Sequence, residues 1–287
     1  MPKEVSSMLD YPKIIEVQFH NKCNSYCLIC PYKDMHYSYE SMNDELFEKL
    51  LNEIDENKLQ RIIPYLNNEP FLDPNYIDKV KKIRSKFKKV EIEISSNVSM
   101  IKEKDIIEMC NLNITELRLS VFGYEKSTYN RMMPRLNHEK TFEKLKMISS
   151  IMSKTNTIIS IVMIDNGEIN EQEFIDMKNM CNELGFNFER WGFLDRSNNV
   201  TYKSNNIYNE YVSSCEQNRP LERMHILSDG RVIFCCQDWS HSLVVGNINN
   251  NTISEVWNSE EYNNARDSLY NNEKDSPMIC KKCKLGH

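Results

Sequence analysis

Glycine is scarce in this chain: seven residues of 287, where soluble proteins average roughly 7%. Tight turns still need residues that tolerate a left-handed backbone. Asn is abundant here and tolerates it better than most residues, so it is expected to take over several turns. Long hydrophobic runs are missing as well. The longest candidate, Ile158–Ile164, is broken by Ser160 and falls far short of the roughly 20 residues of a membrane-spanning helix. The N-terminal MPKEVSSMLDYP has no apolar core of the kind a secretory signal carries. Nor is there a basic excess: 36 Lys and Arg stand against 42 Asp and Glu, a net charge of −6. With the two signs interspersed, no nucleic-acid footprint is present. These absences make a cytoplasmic protein the expectation. Few residues precede Lys13, so no fused recognition domain is expected ahead of the first strand.

Cysteine, by contrast, is plentiful at ten residues. Structural disulfides are rare in a reducing compartment, so metal binding or catalysis explains them better. Cys23, Cys27 and Cys30 form one group. Cys215, Cys235, Cys236, Cys280 and Cys283 form another. Cys110 and Cys181 lie on helical patterns and read as packed thiols, free Cys being among the most buried residue types.

Apolar segments alternate with helical patterns along most of the chain. Lys13–His20, Arg61–Leu66, Val90–Ser95, Glu116–Phe122, Thr157–Ile164 and Phe186–Leu194 read as strands. Asn43–Asn57, Asn75–Lys86, Lys102–Cys110, Lys140–Ser153 and Glu171–Leu184 read as helices, the last closed by Gly185. Six βα-type steps imply a parallel sheet with helices outside it. Six is fewer than the eight of a closed barrel. A curved, partly open barrel satisfies the pattern, and so does a doubly wound sheet. After Asp195 the character changes. Ser197–Asn209 is a polar loop, and Arg223–Ser228 and Arg231–Cys236 form a hairpin that turns at Asp229-Gly230. A helix follows from about Ile253 to Leu269, then a cysteine-bearing tail. The boundary near Asp195 divides the chain into domains 1–195 and 196–287.

The triplet C-x3-C-x2-C stands just past the first strand. A [4Fe–4S] cluster is usually held by four thiolates, so three leave one iron open. Zinc, with His20 or His36 as fourth ligand, is the alternative. The stretch CNSYCLICP resembles the C-x3-C-x-φ-C motif of the radical S-adenosylmethionine superfamily, with Ile29 at the φ position that is commonly aromatic. The resemblance implies that the open iron chelates the amino and carboxylate groups of S-adenosylmethionine. One electron then cleaves it to methionine and a 5′-deoxyadenosyl radical that abstracts a substrate hydrogen atom. Asn67-Asn68-Glu69-Pro70 resembles the superfamily's G-G-E-P-like segment, which implies Asn68 and Glu69 at the methionyl amino group, with Asn in place of both glycines. Ser95-Ser96-Asn97 is similar to its ribose-facing segment. Ser120 and Arg131 match positions near the cofactor and its carboxylate. The triplet, Glu69 and Asn97 all fall past the C-terminal ends of expected strands, where active sites of such sheets lie.

Cys215, Cys235, Cys280 and Cys283 offer four thiolates, which suit zinc or an iron–sulfur cluster equally. Beside the triplet, the arrangement resembles the twitch domain, a shortened SPASM domain. Gly246-Asn247-Ile248 and Val256-Trp257-Asn258 are similar to it too. This implies a partial (β/α)6 barrel with a small C-terminal twitch domain of a hairpin and a helix. It implies two [4Fe–4S] clusters, S-adenosylmethionine, an electron donor such as flavodoxin or ferredoxin, and a small-molecule or peptide substrate. Cys236 fits as a packed neighbour of Cys235. In size and twitch arrangement the chain resembles the 2-deoxy-scyllo-inosamine dehydrogenases of the butirosin pathway, so net oxidation of a hydroxyl-bearing carbohydrate or aminocyclitol is the leading expectation. Arg196, in an Asp195-Arg196-Ser197-Asn198 segment similar to the R-A-G-N-like one of such enzymes, would orient substrate or act as base. The alternatives are a carbohydrate epimerase, with the Cys236 thiol as hydrogen donor, and modification of a ribosomally made peptide. A zinc-binding interaction module is the reading from another class, and iron and labile-sulfide analysis separates it.

Overall fold

Caps and turn residues set the element boundaries. In the computed structural model, which describes residues 10–203, 206–271 and 274–287, β1 (Ile14–Val17) leads to α1 (Asp44–Glu53). The Asn43 side chain caps α1 by accepting from the Leu46 amide. β2 (Arg61–Ile63) stops before Pro64, which has no amide to give a ladder. There follow α2 (Tyr76–Lys86), β3 (Glu91–Ser96), α3 (Glu103–Asn111), β4 (Glu116–Ser120), α4 (Lys126–Met132), α5 (His138–Met152), β5 (Ile158–Asp165), α6 (Glu171–Leu184) and β6 (Asn187–Gly192). Gly185 ends α6 at a φ of 73°, as expected. The C-terminal part holds α7 (Arg219–Glu222), β7 (Arg223–Ile226), β8 (Arg231–Ile233), β9 (Val244–Asn247), α8 (Ile253–Trp257), α9 (Glu260–Tyr270) and α10 (Met278–Lys281). Asn113, Asn198, Asn206 and Asn218 all have positive φ, so Asn does take turns that glycine usually holds.

Two expectations change. The single helix from Ile253 to Leu269 is two helices, because Ser259 starts a second one by accepting from the Tyr262 amide. α4, α7, β9 and α10 were not foreseen. Of the expected Ser197–Asn209 loop, Ser204 and Asn205 lie outside the described residues, as does Met1–Leu9 of the N-terminal reading.

The chain forms two compact units. One comprises the described part of Met1–Asn21 with Asp34–Asn67 and Leu194–His287; the other comprises Lys22–Lys33 and Asn68–Phe193. In the first, β1 pairs in parallel with β2 and with β7, and β8 and β9 extend the sheet antiparallel, in the order β2-β1-β7-β8-β9. Ile15, Val17 and Phe19 turn one way and are buried, Phe19 packing edge-on against Phe47 of α1 at 5.2 Å. Glu16, Gln18 and His20 turn the other way, yet they too are buried. Gly230 makes the β7–β8 turn at a φ of 88°, and a Cβ there would come within 2.3 Å of Asn249 Nδ2.

In the second unit β3, β4, β5 and β6 are parallel neighbours. Ile92, Ile94, Leu117, Leu119, Ile159, Ile161 and Met163 share one buried face, each stabilising the fold by roughly 1.5–3 kcal/mol. The opposite face carries Glu93, Ser95, Glu116, Arg118, Ser120 and Ser160, as the register Ser95↔Arg118↔Ser160 requires. Parallel strands are usually apolar on both sides, so a polar face marks where function sits. β6 ends the second unit's sheet and β9 the first unit's. Among the described residues no helix is long and apolar enough to cross a membrane.

Candidate active site

The triplet sits on a loop that its neighbours hold open. The Leu28 amide donates to the Met132 carbonyl at the end of α4 (2.9 Å), and the Cys30 amide to the Cys27 carbonyl (3.1 Å). Asn24 Nδ2 donates to Ser99 Oγ at 2.8 Å, and Asn97 Nδ2 donates to Asn24 Oδ1 at 2.9 Å. The Arg135 guanidinium lies 3.4 Å from the Tyr26 ring centroid. Burial pushes the Cys23 thiol up to about 12 and Cys27 further still; the charge of Cys30 raises both, and that of Cys23 also raises Cys27. Thiols held neutral so strongly become thiolates when a metal takes the place of their protons. Three thiols on one loop fit a cluster with one open iron.

Glu69 lies beside this loop. Its amide donates to the Lys22 carbonyl at 2.9 Å. Its carboxylate accepts from Ser96 Oγ (2.8 Å), from the Asn97 amide (2.7 Å) and from the Phe71 amide (3.3 Å). Burial raises Glu69 to about 7, against the pull of these three bonds and of the Lys144 charge. The carboxylate therefore ties the segment after β2 to the end of β3, a linkage the sequence does not announce, and Lys144 is a neighbour it does not announce either. Asn68 is half-buried next to it. Ser95 and Ser120 share the polar face. Its centre is Arg118, also not foreseen, which donates to Glu93 (2.7 Å) and Glu116 (2.8 Å). Ser160 Oγ on that face is buried without a hydrogen-bond partner. Arg131 is placed differently: it is 44% exposed and engaged by Glu168 at 2.6 Å.

The C-terminal cysteines meet in one small cavity, lined by Cys215, Cys235, Cys280 and Cys283 together with Gln237 and Gly286. The last residues of the chain run back along the segment around Cys215: the Glu216 amide donates to the Leu285 carbonyl at 2.9 Å, and Cys215 and Gly286 form a β-bridge. Burial pushes the Cys280 and Cys283 thiols up. Tyr270 Oη is buried without an acceptor, and burial together with the charges of Cys215, Cys280 and Cys235 pushes its phenol up. Four thiols and a stranded donor fit an iron–sulfur cluster, whose sulfides accept hydrogen bonds.

Cys236 does not line that cavity. Its Sγ lies with a ring nitrogen of His225 and a Glu16 carboxylate oxygen, all within 4.8 Å of one another. The pairing Glu16↔His225 of β1 with β7 brings the two together. His225 is wholly buried, and neither ring nitrogen has a hydrogen-bond partner. These donor types can hold a divalent ion. Here, however, Arg223 Nη1 already neutralises Glu16 at 2.9 Å, and a further cation would meet that guanidinium. The trio is a polar setting for a thiol. Arg196, with Ser197 and Asn198, has a left-handed backbone (φ 54°, 56° and 65°), and its Nη1 donates to the Gln237 side-chain oxygen at 2.7 Å.

Comparison with known proteins agrees with this geometry. The radical SAM superfamily model matches residues 17–181, and the SPASM model, an iron–sulfur cluster-binding domain, matches residues 215–284. Among curated proteins, YydG of Bacillus subtilis (strain 168), whose name gives it a provisional role in peptide biosynthesis, is 25% identical over 118 residues. The match spans 40% of this chain and 37% of that relative's length. Among solved structures, Streptococcus suis SuiB bound to precursor peptide SuiA is similar with a TM-score of 0.72 at 13% identity, covering 99% of this chain and 72% of that one. BtrN in complex with AdoMet and 2-DOIA is similar with a TM-score of 0.64 at 16% identity, covering 95% and 92%. At these identities the likeness shows the fold, a partial (β/α)6 barrel with a twitch/SPASM-like C-terminal part. With the superfamily model matched over more than half of its length, the chain belongs to the radical S-adenosylmethionine superfamily and works with S-adenosylmethionine and [4Fe–4S] clusters, one of them auxiliary.

Proposed function

We propose that this enzyme inverts a carbon centre in a peptide, with Cys236 returning the hydrogen atom. The observation that supports this reading most is the setting of Cys236. It adjoins Cys235, and its thiol lies with His225 and Glu16 without lining the four-cysteine cavity. Cys23, Cys27 and Cys30 would hold the catalytic cluster, and Cys215, Cys235, Cys280 and Cys283 the auxiliary one. The catalytic cluster, when bound, supplies the electron that splits S-adenosylmethionine into methionine and the abstracting radical. A substrate carbon radical then takes the hydrogen atom of the Cys236 S–H bond from the opposite face. A new C–H bond forms and Cys236 is left as a thiyl radical. One electron and one proton restore the thiol, and a flavodoxin or ferredoxin is the class of donor proposed. YydG and the SuiB complex support a peptide as the substrate class.

Net oxidation of a hydroxyl-bearing small molecule is the second reading, favoured by the likeness to BtrN. Arg196 could orient such a substrate, but a guanidinium keeps its proton and cannot be the base. Turnover in deuterated water separates the two, using peptides encoded beside this gene and aminocyclitols as candidate substrates. Inversion places one solvent deuterium on the reacting carbon; oxidation places none.

We further propose that Glu69 receives the methionyl ammonium. With the carboxyl raised to about 7 by burial, pairing with a cation must displace a proton below that pH. Cofactor affinity should therefore rise as pH climbs towards about 7 and level off above it, by up to about tenfold per unit on the acid side. A charge-assisted hydrogen bond contributes roughly 1.5–3 kcal/mol, so Glu69→Gln should weaken binding about tenfold or more and flatten the pH profile. Equilibrium dialysis against the reconstituted protein measures both. An unchanged dissociation constant in Glu69→Gln would leave Glu69 with only its bracing role.

A further inference from the structure

Arg219 and Arg196 make an arrangement that the proposed reaction does not use. Each donates its Nη1 to the same Gln237 side-chain oxygen, at 2.7 Å. Two guanidiniums that share one acceptor repel each other. Neither forms an ion pair with a carboxylate among the described residues, and Arg219 Nε is sealed from solvent without an acceptor. Unpaired cations of this kind are costly in a protein interior unless an anion lies near.

Gln237 also lines the cavity with Cys215, Cys235, Cys280 and Cys283, the thiols expected to hold an anionic cluster. Pro220, the residue after Arg219, lines it too. Four thiolates around an iron–sulfur core leave a net negative charge, and that charge grows by one on reduction. Burial pulls the Arg219 guanidinium down, but the charges of Cys236, Cys235, Glu16 and Cys215 outweigh burial and the net shift is upward. Nearby charge and hydrogen bonding are two of the levers that set a cluster's potential.

We propose that Arg219, anchored with Arg196 on Gln237, is the counter-charge of the auxiliary cluster and holds its reduction potential up. It is a positioning residue for the electron, not a group that touches substrate. The proposal rests on the C-terminal cysteines holding a cluster and is independent of whether the substrate is a peptide.

The test is a dye-mediated redox titration followed by electron paramagnetic resonance. It uses the full-length chain carrying Cys23→Ala, Cys27→Ala and Cys30→Ala, so that the auxiliary cluster alone gives the signal. Adding Arg219→Gln should lower the ratio of reduced to oxidised cluster at a fixed potential by about tenfold, which is about 59 mV for a one-electron couple. Arg219→Lys keeps the charge and should recover most of that loss. A change below about threefold in Arg219→Gln, or Arg219→Lys as low as Arg219→Gln, overturns the proposal. If Arg219→Gln fails to load iron, Arg219→Lys decides: normal loading and potential support the counter-charge, and failure there too makes Arg219 a structural anchor only. A triple-alanine parent without iron would instead remove the cluster assignment, a failure visible before any titration.

Discussion

Cys23→Ala, Cys27→Ala and Cys30→Ala should each abolish reductive cleavage of S-adenosylmethionine, while iron stays at the C-terminal cysteines. Two four-iron clusters give roughly eight irons per chain, and each variant should retain roughly four. The expectation follows from how the loop is built. Leu28 is tied to Met132, Asn24 to Ser99 and Asn97, and Tyr26 lies under Arg135, so the loop's geometry is fixed around its three thiols. Cys110 and Cys181, on α3 and α6, are not part of this loop. The buried thiols also make cluster uptake proton-coupled: with Cys23 raised to about 12, assembly displaces protons and should slow as the pH falls. Quantifying 5′-deoxyadenosine under dithionite, alongside iron per chain, checks the expectation. A variant that still produces 5′-deoxyadenosine at the wild-type rate would remove the triplet from the reaction.

The cysteine groups were legible in the sequence because ligand chemistry fixes residue type and local spacing. So were most elements, whose caps and apolar periods are local. What could not be read came from pairings distant along the chain. Glu69 was expected past β2, but its restraint comes from Ser96 and Asn97, residues that only the packing of β3 brings to it. Arg118 looks like an ordinary strand arginine until the register sets it beside Glu93 and Glu116. α4 escaped notice because it is short and the Glu125 side chain gives it no cap. The break at Asn258-Ser259 did leave a signal, since a Ser before two Glu residues is a start site for a helix. β1 left another. Its alternation of Ile15, Val17 and Phe19 with Glu16, Gln18 and His20 suits a strand with one wet face. In a parallel sheet covered by helices, that pattern points to a polar interior. Glu16 and His225 then meet only because β7, from the C-terminal part, pairs with β1.

That meeting bears on the second large effect. Cys236→Ala should leave S-adenosylmethionine cleavage intact and take inverted product below detection. In deuterated water the wild-type enzyme should fix one deuterium at the reacting carbon, delivered from the exchangeable Cys236 thiol. The variant should fix none on the inverted centre, because among the described residues the group around His225 and Glu16 holds no other thiol. Folding should survive the change. Cys236 is only partly buried against Leu66, Leu227 and Ile233, and removing one sulfur from such a site costs on the order of 1 kcal/mol, against a typical 5–15 kcal/mol of total stability. Cys236→Ser is the sharper variant, since it keeps the shape but offers an O–H bond too strong to give its hydrogen to a carbon radical. It should behave like Cys236→Ala. His225→Gln, which removes the ring from beside an intact thiol, should slow inversion while still fixing deuterium. The competing outcome is equally definite. A product two hydrogens lighter, without solvent deuterium, and unchanged turnover in Cys236→Ala would make the enzyme a dehydrogenase and leave Cys236 as packing beside a cluster ligand.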